Sequence, residues 1–518
     1  MSSPTAPHTS PTAAKPAPDI SFSPRTGQRL GEVAATPAAE VTATIALAAA
    51  AASAVGTVSP QVRAGWMRAV ADRWDTPEVA AELIAVADEE TALGVPRLSG
   101  ELARMGNQFR FYATVAEEGS WLGATIDTHG TSPLARIQLP RGPVAVFGAS
   151  NFPFAFGALG NDTASALAAG CPVIAKAHPA HPQLSALLRT ITRDAFAEAG
   201  APAGIFDMVA GFDAGVSLVE AADITAVGFT GSQRGGMALW RAAQERPIPI
   251  PVFAEMGTVN PVILTRAALS RAPEIARGAV DSFTLGTGQF CTKPGLLFAP
   301  ECSGFAAELA SALAERSPQG WHLTEAIADT AADTVQHLQD AGAHVVAQGT
   351  ACESGWSSPA TVLTAPAAAL VPGSPLLAEC FGPVLIVVEY AEHGHHTLPA
   401  LVSALQGTLV GTIMSGGAGD PEVAELVQMI LPVVGRVTCD EWPTFVDWTW
   451  AQQHGGPWPA TTSDSFTSVG AAALDRFTRP VAFQGIPDHA LPAGVQQENP
   501  WRIPRRVNGS LHHPEDTR

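Results

Sequence analysis

The stretch Val144-Ala145-Val146-Phe147-Gly148 begins the part of the sequence that decides the fold. Four apolar residues followed at once by glycine are typical of a strand buried on both faces that turns towards a helix. The same unit then repeats, with strands predicted at 144–147, 172–176, 205–209, 226–229 and 250–255 and helices at 157–169, 183–199, 213–221 and 232–243. This alternation predicts a doubly wound α/β sheet, in which ligands bind at the carboxyl ends of the strands.

Composition narrows the class of protein. The chain has 518 residues, of which 46% are hydrophobic and 15% charged, so it is long enough for two or more domains. A net charge of −19 argues against a nucleic-acid partner and against an anionic membrane surface. Six cysteines without CxxC pairs indicate neither a metal site nor a disulfide framework, and they favour a reducing cytoplasm.

Three segments outside the alternation have simple interpretations. Residues 1–26 are rich in Pro, Ser, Thr and Ala and predict a disordered tail, and residues 499–518 predict a loose end. Residues 43–55 are apolar but dominated by alanine, and the run is too short to span a bilayer, so a soluble helix is expected there.

A phosphate-binding turn is expected in the alternating region, yet the usual GxGxxG pattern is absent from it. Phe229-Thr230-Gly231-Ser232 continues through Gly235 and Gly236 as a strand, a glycine turn and the start of a helix. Helix N–H groups and the Ser232 hydroxyl suit a pyrophosphate, but an ordinary helix cap has the same pattern. Both interpretations stay open from these residues.

One cysteine lies in a setting unlike the other five. Cys291 is flanked by Gly286, Gly288 and Gly295 in the stretch GTGQFCTKPG. Glycines on both sides allow the backbone to approach a ligand closely, and backbone N–H groups can then point at what the thiol attacks. The alternative is a buried structural cysteine beside a loop, because free cysteines are often buried.

Six motifs, in this order along the chain, resemble those of the aldehyde dehydrogenase superfamily. They are 147–153 (FGASNFP), 175–179 (AKAHP), 229–232 (FTGS), 255–257 (EMG), 288–291 (GQFC) and 379–383 (ECFGP). Within the superfamily, AKAHP, AEMG and the stretch HGGPWPATT at 454–462 resemble the 2,5-dioxopentanoate (α-ketoglutarate semialdehyde) and NADP-dependent long-chain aldehyde dehydrogenases.

The resemblance implies a fold and a division into domains. A Rossmann-type cofactor domain is expected at 27–254, including bridging strands within 126–142, and an α/β catalytic domain at 255–465. Residues 466–518 would complete a small bridging β element that pairs across a two-fold axis, so a homodimer or homotetramer is expected.

The resemblance also implies a reaction. Cys291 would attack the aldehyde, and the Asn151 side chain with the Cys291 N–H would hold the oxyanion. Hydride transfer leaves a thioester, which Glu255 would help water to hydrolyse, so the product is a free acid. The expected substrate is 2,5-dioxopentanoate, giving 2-oxoglutarate. The alternatives are a catalytically silent nucleotide-binding homologue and an enzyme that passes the acyl group to an amine or thiol.

For the cofactor, the resemblance implies a set of contact residues. Lys176 would reach the ribose or its phosphate, Glu379 the nicotinamide ribose, and Phe381 the ring. The remaining expected cofactor residues are Phe152, His178, Gly231, Ser232 and Gly236. NAD-preferring relatives often carry a Glu where this chain has Pro179, and without that carboxylate a 2′-phosphate is tolerated. NADP is therefore expected, with NAD also possible.

The segment that should line the aldehyde funnel departs from its relatives. The expected substrate residues are Phe154, Asp440, Trp442, Phe445 and Trp448, with Glu441 and Trp450 nearby. Added acids disfavour a carboxylate-tailed aldehyde and, with aromatic side chains, suit an amino-bearing or aromatic one, a long-chain aldehyde being a further alternative. The alternative interpretation is that the acids point to solvent and that the tryptophans pack in the core.

Overall fold

In the computed structural model, residues 17–130 and 132–514 are described. The chain begins with β1 (Asp19–Phe22), β2 (Arg29–Val33), α1 (Ala38–Thr57), α2 (Pro60–Trp74), α3 (Pro77–Thr91) and α4 (Val95–Glu118). The alternating region contains β3 (Thr125–Asp127), β4 (Leu134–Pro140), β5 (Val144–Phe147), α5 (Asn161–Ala169), β6 (Val173–Lys176), α6 (Pro182–Glu198), β7 (Phe206–Val209), α7 (Phe212–Glu220), β8 (Ala226–Gly231), α8 (Gln233–Gln244) and β9 (Val252–Met256).

The second half holds β10 (Pro261–Leu264), α9 (Ala272–Thr284), β11 (Leu296–Pro300), α10 (Phe305–Arg316), α11 (Glu325–Asp340), β12 (His344–Gln348), β13 (Thr361–Ala365), β14 (Val384–Tyr390), α12 (Leu398–Val402), β15 (Thr408–Met414), α13 (Glu422–Ile430) and β16 (Val434–Cys439). The chain closes with β17 (Thr478–Gln484), β18 (Arg505–Val507) and β19 (Ser510–His512). The predicted alternation of strands and helices from 144 to 256 is confirmed.

The first large sheet has five parallel strands in the order β7-β6-β5-β8-β9. The chain moves outwards from β5 through β6 and β7 and then returns to the other side of β5 as β8. The carboxyl ends of β5 and β8 therefore meet at the point where the strand order reverses, which is where doubly wound sheets bind ligands. The domain boundary predicted between residues 254 and 255 falls inside β9.

The second large sheet has seven strands in the order β12-β13-β14-β11-β10-β15-β16, all parallel except the edge strand β12. Its central strands are buried on both faces, which explains why β11, β14 and β15 are almost continuous apolar runs. Helices α9 and α10 cover one face, and the loop between α9 and β11 carries Cys291.

A third sheet, in the order β17-β4-β3-β18-β19, joins the predicted bridging region to the C-terminal segment. β17 pairs with β4 over seven residues, and β18 pairs with β3. The prediction of a loose end at 499–518 is therefore wrong for β18 and β19, because β18 pairs with the distant strand β3 and β19 forms a hairpin with β18. Residues 515–518 lie outside the described part.

The N-terminal predictions are corrected in the same way. The predicted tail at 1–26 ends before Asp19, because β1 pairs with β2; residues 1–16 lie outside the described part. Helix α1 is long and apolar enough to pass for a membrane span by length and composition. It nevertheless buries Val41, Ile45 and Ala48 in a cluster with core residues of the five-stranded sheet, as expected of a soluble helix.

Candidate active site

The residues expected to bind cofactor and aldehyde converge on the carboxyl edge of the five-stranded sheet. Asn151 follows β5, Lys176 ends β6, and Gly231 ends β8, while Glu255 lies in β9 paired with Thr230 of β8. The parallel order of the strands brings these positions to one edge although they are spread over about a hundred residues.

Cys291 follows a loop in which three consecutive residues, Gly286, Thr287 and Gly288, have positive φ. Gly286 and Gly288 have φ of 55° and 69°. A Cβ at Gly288 would lie 2.2 Å from the carbonyl oxygen of Gly382, so no other residue fits there. The Asn260 amide donates to the carbonyl oxygen of Cys291 at 2.7 Å and fixes the cysteine backbone.

Backbone pairing with β9 brings His454 next to Cys291 and Glu255. The N–H of Met256 donates to the carbonyl oxygen of Ala460 at 2.8 Å, and that of Thr462 to the carbonyl oxygen of Ala254 at 3.2 Å. This pairing lays the segment after His454 along β9. His454 itself is fully buried, and its backbone N–H donates to Thr467 Oγ1.

The three side chains form a compact group. Nε2 of His454 lies 3.8 Å from Sγ of Cys291 and 3.2 Å from Oε2 of Glu255. The hydroxyl of Ser468 donates to the same Glu255 oxygen at 2.6 Å. Cys291 is half-buried and so remains open to solvent on one side, while Glu255 is buried. The thiol and the carboxylate thus face the same ring nitrogen, so the imidazole can take the thiol proton only in the tautomer that carries its own proton on Nδ1.

The electrostatics of the group explain why the thiol needs such a base. Burial, followed by the carboxylates of Glu255 and Glu379, raises the pKa of Cys291 well above its usual value. Burial alone would raise the pKa of Glu255, but the charge and hydrogen bond of His454, the Ser468 hydroxyl and the Cys291 thiol lower it overall. Glu255 is therefore ionised; it repels a thiolate and, through its hydrogen bond with the thiol, it is a second proton acceptor beside Cys291.

Asn151 lies next to the nucleophile loop. Its side-chain amide donates to the carbonyl oxygen of Gln289 at 2.7 Å. A primary amide has two N–H donors, so this bond orients the group and leaves the second donor for an oxyanion. Arg97 donates to the Asn151 carbonyl oxygen and places its guanidinium over the rings of Phe152 and Phe290.

The glycine turn before α8 matches the fold's requirement for a dinucleotide. Ser232 Oγ accepts from the N–H of Gly235 at 3.2 Å, so the helix-cap interpretation is confirmed, while its phosphate role stays a prediction. A Cβ at Gly236 would lie 2.7 Å from Met256 Sδ, which lets the helix start pack directly on β9. A close backbone turn at a helix N-terminus fits an anionic diphosphate, and this turn, with Lys176 at the same edge of the sheet, would hold NAD(P).

His178 contributes differently from the expectation. Its ring stacks on that of His181 with centroids 5.2 Å apart, and its Nδ1 accepts from the N–H of Ala180. Burial, with the neighbouring His181 and Lys176, lowers the pKa of His178 well below its usual value. It is neutral at physiological pH, with its proton on Nε2, so Lys176 is the cation of this pair.

The other expected cofactor residues lie where the two large domains face each other. Glu379 packs against Gly257, two residues after Glu255, so that a Cβ there would overlap its carboxylate. Burial raises the pKa of Glu379 to about 7, although Lys293 opposes this and Glu255 adds to it. Phe152 and Phe381 are half-buried. Their expected contacts with the nicotinamide half of the cofactor stay predictions.

Of the expected substrate residues, Phe154 is a correction. It is fully buried in the core behind α5, and its backbone N–H donates to Glu101. Phe156, two residues on, is only half-buried and lies 6.5 Å from the His454 ring between centroids. Phe156 faces the reacting group instead, because the turn after β5 directs alternate side chains to opposite sides.

The residues of the acidic and tryptophan-rich segment have different surroundings. The Asp440 carboxylate binds Arg271 at 2.9 Å and Ser415 Oγ at 2.6 Å, which lowers its pKa although partial burial opposes this. Trp442 packs against Gly278 of α9. These contacts give Asp440 and Trp442 structural roles, so Asp440 is not the source of repulsion of an anionic aldehyde that the sequence suggests; Glu441 is exposed. Phe445 is largely exposed.

Trp448 stays close to the site through Arg104. The Arg104 guanidinium lies 4.8 Å from the Trp448 ring centroid and 5.1 Å from that of Phe156, and it donates to the carbonyl oxygen of Val446. Arg436 donates to the carbonyl oxygens of Pro443 and Phe445, and its buried Nε makes no hydrogen bond within the described residues. Burial lowers the pKa of both arginines. The charges of Glu101, Asp447 and Cys291 oppose this at Arg104, and those of Cys291, Asp447 and Glu441 oppose it at Arg436.

The chain belongs to the aldehyde dehydrogenase family, whose profile matches residues 15–398. It is thus an NAD(P)-dependent enzyme that oxidises an aldehyde to a carboxylic acid. It is 42% identical over 464 residues to alpha-ketoglutaric semialdehyde dehydrogenase 2 of Azospirillum brasilense, covering 86% of this chain and 87% of that protein. It is 40% identical over 442 residues to alpha-ketoglutaric semialdehyde dehydrogenase of Acinetobacter baylyi, covering 83% and 84%.

The fold is shared with solved structures at lower identity. Methylmalonate-semialdehyde dehydrogenase from Oceanimonas doudoroffii superposes with a TM-score of 0.76 at 19% identity, over 90% of this chain and 94% of that one. The predicted family, branch and fold class are therefore confirmed. Nothing in the comparisons supports the catalytically silent homologue.

His454 is not among the site residues that the sequence predicts. It begins the HGGPWPATT stretch that supports the resemblance, so its position was visible as part of a motif. Its role was not, because 163 residues separate it from Cys291.

Proposed function

We propose that this chain oxidises 2,5-dioxopentanoate to 2-oxoglutarate with NADP, using Cys291 as nucleophile. The observation that carries the proposal is the Cys291–His454–Glu255 group on the carboxyl edge of the cofactor sheet. The names of the two relatives at 42% and 40% identity support the substrate.

The proposed reaction begins with the transfer of the Cys291 proton to His454 Nε2. The thiolate then attacks the aldehyde carbon and forms a C–S bond, and the oxyanion takes the free Asn151 N–H and the Cys291 backbone N–H. The adduct would give its hydride to NAD(P), which is the chemistry that the cofactor supplies when it is bound, and Cys291 would be left as a thioester. Glu255 then takes a proton from the water that attacks the thioester carbon, the C–S bond breaks to release the acid, and the proton held by His454 returns to the Cys291 sulfur.

The carboxylate of the substrate needs a cationic receptor near the thiol. Arg104 and Arg436 supply it, because both lie close to Cys291 and each keeps N–H groups beyond those that bind backbone carbonyls. A guanidinium presents five N–H donors in a planar fork that matches a carboxylate. This arrangement favours a carboxylate-tailed aldehyde over the aromatic, amino-bearing and long-chain alternatives.

The test compares kcat/KM for 2,5-dioxopentanoate and for pentanal in wild type, Arg104→Gln and Arg436→Gln. A charge-assisted hydrogen bond is worth about 1.5–3 kcal/mol, so about 10- to 100-fold should be lost for the anionic aldehyde and little for pentanal. Arg110→Gln is the matched control, because Arg110 lies on the same helix as Arg104 but binds Asp72 and Asp75 at the surface. Equal losses for both aldehydes would contradict the receptor.

The preference for NADP rests on Lys176 and on the missing carboxylate at Pro179. Pro179 is exposed beside Lys176 and leaves room for a 2′-phosphate. Pro179→Glu should lower kcat/KM with NADP at least tenfold and leave NAD little changed, because a new carboxylate repels the phosphate. A wild-type enzyme that prefers NAD would refute the assignment.

Two further proposals concern assembly and location. We propose a homodimer or homotetramer formed through the sheet that contains β17 and β4, because β17 is an edge strand with free backbone groups. Light scattering coupled to size exclusion would test it, and a monomer would contradict it. We also propose a cytoplasmic enzyme, supported by six cysteines that are all free. Cell fractionation tests that location.

A further inference from the structure

The catalytic group has the ligand types and spacing of a three-ligand zinc site. Cys291, His454 and Glu255 each offer one ligand atom, and these atoms all lie within 4.8 Å of one another. In a tetrahedral site with Zn–S of about 2.3 Å and Zn–N or Zn–O of about 2.0–2.1 Å, neighbouring ligands are about 3.3–3.6 Å apart. The observed 3.2 Å between nitrogen and oxygen and 3.8 Å between sulfur and nitrogen are within a few tenths of an ångström of these values, and the sulfur and the carboxylate oxygen lie within 4.8 Å of each other.

A buried oxygen of Glu255 without a hydrogen-bond partner among the described residues also supports a bound cation. Oε1 of Glu255 is buried and accepts no hydrogen bond within the described residues, whereas Oε2 is bound by Ser468 and His454. A buried carboxylate oxygen without a partner is costly, and a cation that bridges Glu255 to its neighbours would satisfy it. Since Cys291 is only half-buried, a fourth position stays open to water.

We propose that Cys291 Sγ, His454 Nε2 and the Glu255 carboxylate bind one Zn²⁺ reversibly and that the bound ion inhibits the enzyme. The Cys291 thiol releases its proton to solvent, a Zn–S bond forms, water ligands leave the ion, and no oxidation state changes. A sulfur and an imidazole select zinc over magnesium or calcium, which prefer oxygen ligands.

Inhibition follows because the ion occupies the atoms needed for attack on the aldehyde. The inhibitory consequence rests on the proposed role of Cys291 as nucleophile, whereas the binding itself does not. Zinc should therefore compete with the aldehyde, and it should protect Cys291 from alkylation by iodoacetamide.

The experiment measures metal binding directly, in the full-length protein without aldehyde or cofactor. Chelator-treated protein is titrated with Zn²⁺ against a competing dye, and with Co²⁺ as a probe whose thiolate charge-transfer absorption reports a metal–sulfur bond. We expect one ion per chain and a Co²⁺–thiolate band that Cys291→Ser abolishes. His454→Gln and Glu255→Gln should weaken zinc binding about 100-fold, since even a residue behind the ligands is worth about 10- to 100-fold.

Cys302→Ser is the control, because Cys302 is an exposed free thiol outside the group; its zinc affinity should equal that of wild type. Thermal unfolding checks that each variant is folded, and if His454→Gln does not fold, Glu255→Gln decides. Zinc affinity unchanged in both of these variants, or lost in Cys302→Ser, would overturn the site. Binding without oxidation of 2,5-dioxopentanoate would refute only the proposed substrate, whereas oxidation without a Co²⁺–thiolate band would refute only the zinc site.

Discussion

Replacement of His454 by glutamine tests the central feature of the active site. Glutamine retains an N–H that can donate to Glu255, but it cannot accept the proton of the Cys291 thiol. The pKa of that thiol is already raised by burial and by the carboxylates of Glu255 and Glu379, and only the more weakly acting charge of Arg436 would then favour the thiolate.

The size of the effect can be worked from the distances. An imidazolium 3.8 Å from a thiolate contributes about 4 kcal/mol at an effective dielectric of 20, which is an upper bound of nearly 1000-fold. General base catalysis is typically worth about 100- to 10,000-fold. We therefore expect kcat/KM of His454→Gln to fall by about two to three orders of magnitude.

Two measurements separate loss of the base from general damage. The rate of Cys291 alkylation by iodoacetamide, followed by peptide mass spectrometry, should fall in parallel with kcat/KM, while NADP binding should be unchanged. His337→Gln, on the exposed side of α11, should leave both rates at the wild-type value. Alkylation and kcat/KM within about fivefold of wild type in His454→Gln would refute the assignment of His454 as the base.

Three further changes follow from the structure. Glu255→Gln should give a burst of NADPH and then a slow steady state, because hydrolysis of the Cys291 thioester lacks its base; an equal loss of single-turnover hydride transfer would place Glu255 earlier. Gly288→Ala should lower the free energy of unfolding by about 2 kcal/mol or more and reduce activity, because its Cβ meets Gly382 and φ is positive; unchanged urea unfolding would contradict this. Burial lowers the pKa of His181 to about 4, so the unfolded chain, with a pKa near 6.5, binds more protons between these values. The free energy of unfolding should therefore fall by up to about 3 kcal/mol as pH drops from 6.5 to 4, and His181→Gln should flatten that slope; an unchanged slope would refute it.

The sequence alone determined the five-stranded sheet, because each strand is a short apolar run and each turn ends in glycine or a helix start. It also identified Cys291 as the cysteine in a glycine-rich loop, because the surrounding glycines are visible in the sequence. The positive φ of Gly288 agrees with that local signal. Signals of this kind depend only on residues that are neighbours in the sequence, which is why the family, the fold class and the motif positions could be predicted.

Only the tertiary structure decided which distant residues meet. His454 reaches Cys291 because the strand-like segment around Ala460 pairs with β9, a long-range backbone match that no local pattern specifies. Phe154 and Phe156 look equivalent in sequence, yet one is in the core and the other faces His454, because the turn after β5 sets their directions. The sequence does not show a partner for Asp440, because Arg271, with which it forms an ion pair in the fold, lies 169 residues away.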